Sequence, residues 1–155
     1  MKIGIISDTH FYDWGKYEIP DWIRNAFDGS DIIVHAGDVE SPAVIRALEN
    51  IATVYAVRGN CDPSGLNTPQ SISIDIGCGK LTAAHKPAHA QLAVEPDTRV
   101  IVCGHTHIST ISEYDGIMLI NPGSPTHPRG GMPPSVGILE ISKRGQLFPQ
   151  IVTKY

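Results

Sequence analysis

Short apolar runs alternate with polar segments along the chain, and they do so in two styles. In the first third, unbroken apolar runs are separated by stretches with helical spacing. Lys2–Ser7 (KIGIIS) reads as a buried strand, and the polar and aromatic Asp8–Lys16 as a loop. Pro20–Phe27 sets Trp22, Ile23, Ala26 and Phe27 at helical spacing, with Pro20 in the first turn, where its missing N–H costs nothing. Gly29 ends that pattern, and Asp31–His35 (DIIVH) follows as a second strand. Ser41-Pro42 pairs a capping hydroxyl with a proline at the first helical position, which predicts a helix to about Asn50. Thr53–Val57 (TVYAV) is a third strand. The order β-α-β-α-β predicts parallel strands joined by right-handed crossovers.

The second style is antiparallel in character. Ser71–Ile76 (SISIDI) alternates, as a half-exposed strand does, and Gly77-Cys78-Gly79 turns the chain into Lys80–Ala84. A short helix is predicted over Ala88–Val94, stopped by Pro96, and another buried strand over Arg99–Cys103. Asp115-Gly116 between Thr110–Tyr114 and Ile117–Ile120 is a type I′ hairpin signal. The tetrapeptide SKRG between Val136–Ile141 and Leu147–Val152 marks a second hairpin. Helix-linked strands followed by hairpins predict two packed sheets covered by helices. With 155 residues and neither repeat nor linker, one domain spanning 1–155 is expected.

Composition narrows the function classes. Sixteen acidic against twelve basic residues leave a net charge of −4, which argues against a nucleic-acid partner. No apolar run approaches the roughly 20 residues of a membrane-spanning helix, and an acid closes the first apolar run too early for a signal peptide, so a cytoplasmic location is expected. Cys61, Cys78 and Cys103 are odd in number and widely spaced, which fits neither a disulfide framework nor a paired-cysteine zinc site.

Polar residues cluster where the apolar strands end. Asp8-Thr9-His10 follows the first strand, Gly37-Asp38 the second, and Arg58-Gly59-Asn60-Cys61-Asp62 the third. His85 follows Lys80–Ala84, and Gly104-His105-Thr106-His107 follows Arg99–Cys103. A single Asp or His there is ordinarily a turn or cap group. Five strand ends that deliver two Asp, one Asn and four His are not ordinary turn chemistry, and sites in α/β sheets form at the carboxyl ends of strands. If the pleat of the last strand continues, His105 and His107 face one side and one object, whether metal, phosphate or water. Imidazole suits Zn, Fe, Ni and related ions, and carboxylate suits Mn and Mg. Seven N/O donors exceed what one four-coordinate ion needs and fit two ions.

The ordered set D-x-H, G-D, G-N, H, G-H-x-H resembles the calcineurin-like metallophosphoesterase superfamily, over Met1 to about Val152. Length, the tetrapeptide GNCD and the late NPGSP…PRGG resemble its small single-domain phosphodiesterase branch, whose fold the retromer vacuolar-sorting subunit shares. The resemblance implies an α/β fold, a four-layer αββα sandwich of two mixed sheets flanked by helices, with a dimetal site along one edge. It implies that Asp8, His10, Asp38 and His107 hold one ion, and Asp38, Asn60, His85 and His105 the other, with Asp38 shared. The implied function is hydrolysis of a small phosphodiester, with a hydroxide between two divalent cations as nucleophile and Asp38, Asn60 and His105 in the catalytic step. Mn is the first expectation for the metal, with Fe, Zn, Ni or Co as alternatives. The rival is a scaffold or protein-binding module on the same fold, catalytically weak or inactive; a dimetal hydrolase of another bond type is a third reading. Homo-oligomerisation stays open.

Two departures from the family pattern stand out. Many larger members carry histidine after the asparagine of the G-N motif, where this chain has Cys61, a poorer anion binder. His-Gly-His is replaced by His85-Lys86-Pro87, and Lys86 is within reach of a substrate phosphate in one reading. Arg58 and Arg129 are candidate phosphate ligands, with Asn60 and Cys61 beside them. Asn121 is expected to brace a ligand histidine, His35 to be a satisfied core histidine, and His127 to sit in a loop lining the cleft. Phe11, Tyr12 and Trp14 form a cleft wall or merely cover the core.

Overall fold

The computed structural model describes residues 1–155. Ten strands and three α-helices follow one another along the chain: β1 (Lys2–Ile6), α1 (Asp21–Phe27), β2 (Ile32–His35), α2 (Pro42–Glu49), β3 (Thr53–Ala56), β4 (Ser71–Asp75), β5 (Lys80–Ala84), α3 (Pro87–Leu92), β6 (Thr98–Val102), β7 (Ser109–Tyr114), β8 (Ile117–Pro122), β9 (Ser135–Ile141) and β10 (Leu147–Thr153). The predicted elements are all present, with ends displaced by a residue or two. A 3-10 turn at Ser64–Leu66 carried no periodic signal and was not predicted.

The strands form two five-stranded mixed sheets, ordered β10-β9-β1-β2-β3 and β4-β5-β6-β8-β7. The first sheet is parallel across β1, β2 and β3, and β9 and β10 join antiparallel. In the second, β5, β6 and β8 run parallel between antiparallel edge strands β4 and β7. Pleating sorts the apolar residues. Ile3, Ile5 and Val34 of the first sheet meet Leu81, Val100, Val102 and Ile120 of the second in a shared core. Ile6, Ile33, Val136 and Ile138 face the other way, onto Ile23 and Phe27 of α1 and Val44 and Leu48 of α2. Ala84, Ile101 and Cys103 pack beneath Ala90 of α3. The layers are therefore helix, sheet, sheet, helix, as the resemblance implied. Each fully buried large aliphatic or aromatic side chain contributes about 1.5–3 kcal/mol.

Local signals act as their chemistry requires. The Ser41 hydroxyl accepts the Ala43 N–H at 3.1 Å, with Pro42 in the first turn of α2. Asp115 and Gly116 both have positive φ, at 50° and 76°, the type I′ geometry. Ser41 also donates to the Asp13 carbonyl at 2.7 Å, so the cap anchors the loop that follows β1. Replacing Ser41 with Ala should destabilise the protein by about 1–2 kcal/mol in urea unfolding, with the midpoint shifted and the slope unchanged.

Candidate metal centre

The loops after β1, β2, β3, β5 and β6 meet at one edge of the sandwich. Asp8, Asp38, His85 and His107 are buried there, and His10 and His105 are half-buried. His107 Nε2 lies 3.3 Å from Asp8 Oδ1 and 3.2 Å from His10 Nε2. His85 Nε2 lies 3.2 Å from Asp38 Oδ2 and 4.0 Å from Asp8 Oδ1. His10 Nε2 reaches within 3.9 Å of Asp8 Oδ1 and 3.8 Å of Asp38 Oδ2. The His105 ring packs on His85 with centroids 5.1 Å apart. Donor atoms of Asp8, His10 and His107 fall within 4.8 Å of one another, as do those of Asp8, Asp38 and His85.

The pleat argument for His105 and His107 fails. β6 ends at Val102, and the two histidines have φ of 70° and 59°, in the left-handed region. Their side chains reach the site because two turns redirect the chain. Gly104 serves space rather than a turn: an added Cβ there would sit 1.8 Å from Ser7 Oγ and 2.6 Å from Asp8 Oδ2. Asn121 does not touch a histidine ring. Its Nδ2 donates to the Gly104 carbonyl and to the Thr106 hydroxyl, each at 2.9 Å, so it braces the residues on both sides of His105. Asn60 sits at the exposed rim, where its Nδ2 contacts Cys61 Sγ at 3.3 Å. Arg58 gives its Nη2 to the Asp62 carbonyl at 3.2 Å, which makes it a loop brace. The Arg129 side chain is exposed, and its backbone N–H donates to the His107 carbonyl at 3.1 Å.

Hydrogen bonding decides how the donors face. Asp8 Oδ2 accepts from Ser7 Oγ at 2.7 Å and from the His105 N–H at 3.0 Å, which leaves Oδ1 buried without a donor. Asp38 Oδ1 accepts the Cys61 N–H at 2.8 Å, leaving Oδ2 toward the histidines. His85 Nδ1 is 2.8 Å from the Ala36 carbonyl, and His107 Nδ1 2.6 Å from the His127 carbonyl. A carbonyl can only accept, so both rings carry their proton on Nδ1 and present an Nε2 lone pair. His10 Nδ1 meets the Glu40 carboxylate in the same sense. His85 Nε2 has no hydrogen-bond partner; its approach to Asp38 is close but not aligned. Buried lone pairs without a donor cost about 1–3 kcal/mol each, and two imidazole nitrogens facing each other at 3.2 Å repel. A cation among them removes both penalties, so the residues present fit bound metal.

Burial raises the Asp8 carboxyl above the usual range, with the Ser7 hydrogen bond opposing. Burial also opposes ionisation of Asp38, but the neighbouring His85 ring and the hydrogen bond from the Cys61 N–H hold it down at about 2. Desolvation, then the Asp38 charge, pushes the Cys61 thiol up to about 11. His35 is a core residue, as expected. Its Nδ1 accepts the Gly37 N–H at 3.2 Å, its Nε2 contacts Thr9 Oγ1 at 3.1 Å, and burial, then His85, depresses it to about 3.

Several supporting residues carried no legible role in the sequence. Asp62, buried, accepts from the Asp38, Gly59 and Glu40 N–H groups at 3.2, 2.7 and 2.7 Å. Ser124 Oγ donates to the Asp8 carbonyl at 2.7 Å and Thr126 Oγ1 to the Thr9 carbonyl at 2.9 Å, docking the loop after β8 on the loop after β1. That docking brings the His127 ring edge-on to His10, at 5.4 Å. The tetrapeptide GNCD held Asp62 in plain view, but only the fold shows which N–H groups it meets.

A family model for the calcineurin-like phosphoesterase superfamily domain matches residues 1–144. The chain belongs to that superfamily. A probable metallophosphoesterase of Methanothermobacter thermautotrophicus is 39% identical over 150 residues, covering 91% of this chain and 86% of that one. A phosphodiesterase of Methanocaldococcus jannaschii is 30% identical, covering 93% and 95%. Among solved structures, Vacuolar Protein Sorting 29 from Cryptosporidium parvum superposes with a TM-score of 0.72 at 22% identity, covering 97% and 96%. Membership in a metallophosphoesterase family implies divalent metal ions, in agreement with the donor set.

The depressed His35 makes a pH prediction. The unfolded chain takes up its proton below about 6.5 while the folded one does not until about 3, so stability is lost as pH falls through that window. In urea unfolding with chelator present, wild type should lose about 1 kcal/mol per pH unit more than His35→Gln between pH 6 and 4. Equal slopes would contradict the assignment.

Proposed function

We propose that this protein is a dimetal-dependent phosphoesterase acting on a phosphodiester. One observation carries the reading: Nε2 lone pairs of three histidines and one free oxygen each of Asp8 and Asp38 converge on one edge of the sandwich. In this reading Asp8, His10, Asp38 and His107 hold one ion, and Asp38, Asn60, His85 and His105 the other, with Asn60 turning inward from Cys61. Asp38 suits the shared place because its Oδ2 lies near both His10 and His85. Mn²⁺ is the first choice for a mixed N/O set, with Fe, Zn, Ni or Co also compatible. When bound, two such ions supply Lewis-acid charge and a water of lowered pKa for attack at phosphorus.

The protein's own groups do the rest. Second oxygens of the two aspartates are fixed by Ser7, His105 and Cys61, so neither carboxylate can swing from the reacting centre. In this reading the exposed Arg129, whose backbone N–H meets the His107 carbonyl, and Lys86, next in chain to His85, would meet phosphoryl oxygens. Cys61 at the rim favours a diester over a monoester. A thiol carries no positive charge in any protonation state, so the site offers less counter-charge to a dianionic monoester than an imidazolium would. The complete ligand set also supports an enzyme over a protein-binding module on the same fold.

Purified protein supplied with Mn²⁺ should hydrolyse an activated aryl phosphodiester faster than the matching monoester. Asp38→Asn should lower turnover about a hundredfold or more, with melting temperature little changed and bound metal reduced. Full metal occupancy with no turnover of any phosphoester would exclude the reading.

A further inference from the structure

Glu40 has no place in the roles above, yet it is among the most constrained residues of the site. Its side chain is 8% exposed. Its N–H is held by Asp62 Oδ1 at 2.7 Å, and its carbonyl accepts Trp14 Nε1 at 3.0 Å. Its φ is 62°, in the left-handed region. Both backbone polar groups are thus tied, one to the loop after β3 and one to the loop after β1. What these restraints deliver is a carboxylate oxygen against His10 Nδ1.

The chemistry of that contact is specific. An ionised carboxylate can only accept, so the His10 proton is drawn to Nδ1 and the lone pair to Nε2. Nε2 is the atom that faces His107 at 3.2 Å, with Asp8 Oδ1 and Asp38 Oδ2 within 4 Å. Against neutral carbonyls His85 and His107 gain orientation alone. Against a carboxylate His10 also gains electron density at the ring, which strengthens Nε2 as a donor. The arrangement needs a residue two positions beyond Asp38 turned back toward β1, and the left-handed backbone at Asp38 and Glu40, with φ of 54° and 62°, supplies the turn.

We infer that Glu40 is a positioning residue that fixes the tautomer and direction of His10, and so sets the affinity of the ion held with Asp8 and His107. The inference rests on the dimetal reading for its second half only. The tautomer is a property of the protein before any metal binds.

The test uses full-length protein carrying ¹⁵N-labelled histidine, with Zn²⁺ as the added probe. In chelated wild type, at a pH where the ring is neutral, His10 should show a protonated Nδ1 and a bare Nε2. Glu40→Gln keeps an acceptor oxygen, so it should keep the tautomer and weaken one zinc equivalent modestly. Glu40→Ala should mix the tautomers and weaken that equivalent about 10–100-fold, leaving the other within about threefold of wild type. A wild-type His10 with the proton on Nε2 would overturn the inference whether or not metal binds. So would unchanged zinc isotherms in both variants, or equal weakening of both equivalents. If Glu40→Ala does not fold, Glu40→Gln decides: a wild-type isotherm rejects the charge-based effect. Wild type that shows the expected tautomer but binds no added Zn²⁺ would instead count against the dimetal reading and leave the placement of His10 intact.

Discussion

One buried carboxylate holds the site together. Asp62 gathers the N–H groups of Asp38, Glu40 and Gly59, and so staples the loop after β2 to the loop after β3. The two loops approach so closely that a Cβ on Gly59 would fall 2.0 Å from Asp38 Oδ1. Parallel strands bring their carboxyl ends to one edge, but they do not determine how the loops beyond them sit. Hydrogen bonds to an ionised acceptor are worth about 1.5–3 kcal/mol each, enough to hold a loop in a single arrangement.

That arrangement is strained. Asp8, His10, Asp38, Glu40, His105 and His107 all have positive φ, and each such non-glycine residue costs on the order of 1 kcal/mol. The strain turns the chain sharply enough for neighbouring residues to divide their tasks. Asp8 and His10 both reach the centre while Thr9 points into the core toward His35. Asp38 reaches the centre while Glu40 returns to His10. Surrounding hydrogen bonds offset the strain: Ser124 and Thr126 on the Asp8–Thr9 backbone, Asn121 on Gly104 and Thr106, Asp62 on Asp38 and Glu40. Loops held this way bring donor atoms of Asp8, His10, Asp38, His85 and His107 together in the protein alone.

Two kinds of information were unequally legible in the chain. Elements were readable because hydrophobic period is a local property: the KIGIIS and DIIVH runs, the Ser41-Pro42 cap and the Asp115-Gly116 turn each carry their own signal. The site's residue types were readable because Asp, His and Asn recur where apolar runs stop. Supporting groups were not. Glu40 and Asp62 look like any acids in a loop until a partner some twenty to thirty residues away is placed beside them. Arg58 read as a candidate phosphate ligand or a loop arginine, and only the fold shows its Nη2 on the Asp62 carbonyl four residues on.

The sequence by itself determined the strand and helix order, the two-sheet class and the candidate donor residues, because periodicity and residue type need only neighbours in the chain. Tertiary structure alone decided which atom of each donor faces the centre. His105 and His107 reach it by left-handed turns rather than by strand pleat. The lone pairs of His85 and His107 point inward because the carbonyls of Ala36 and His127 take their Nδ1 protons. Those contacts join residues far apart in the chain, and a hydrogen bond's direction exists only once both of its ends have been placed.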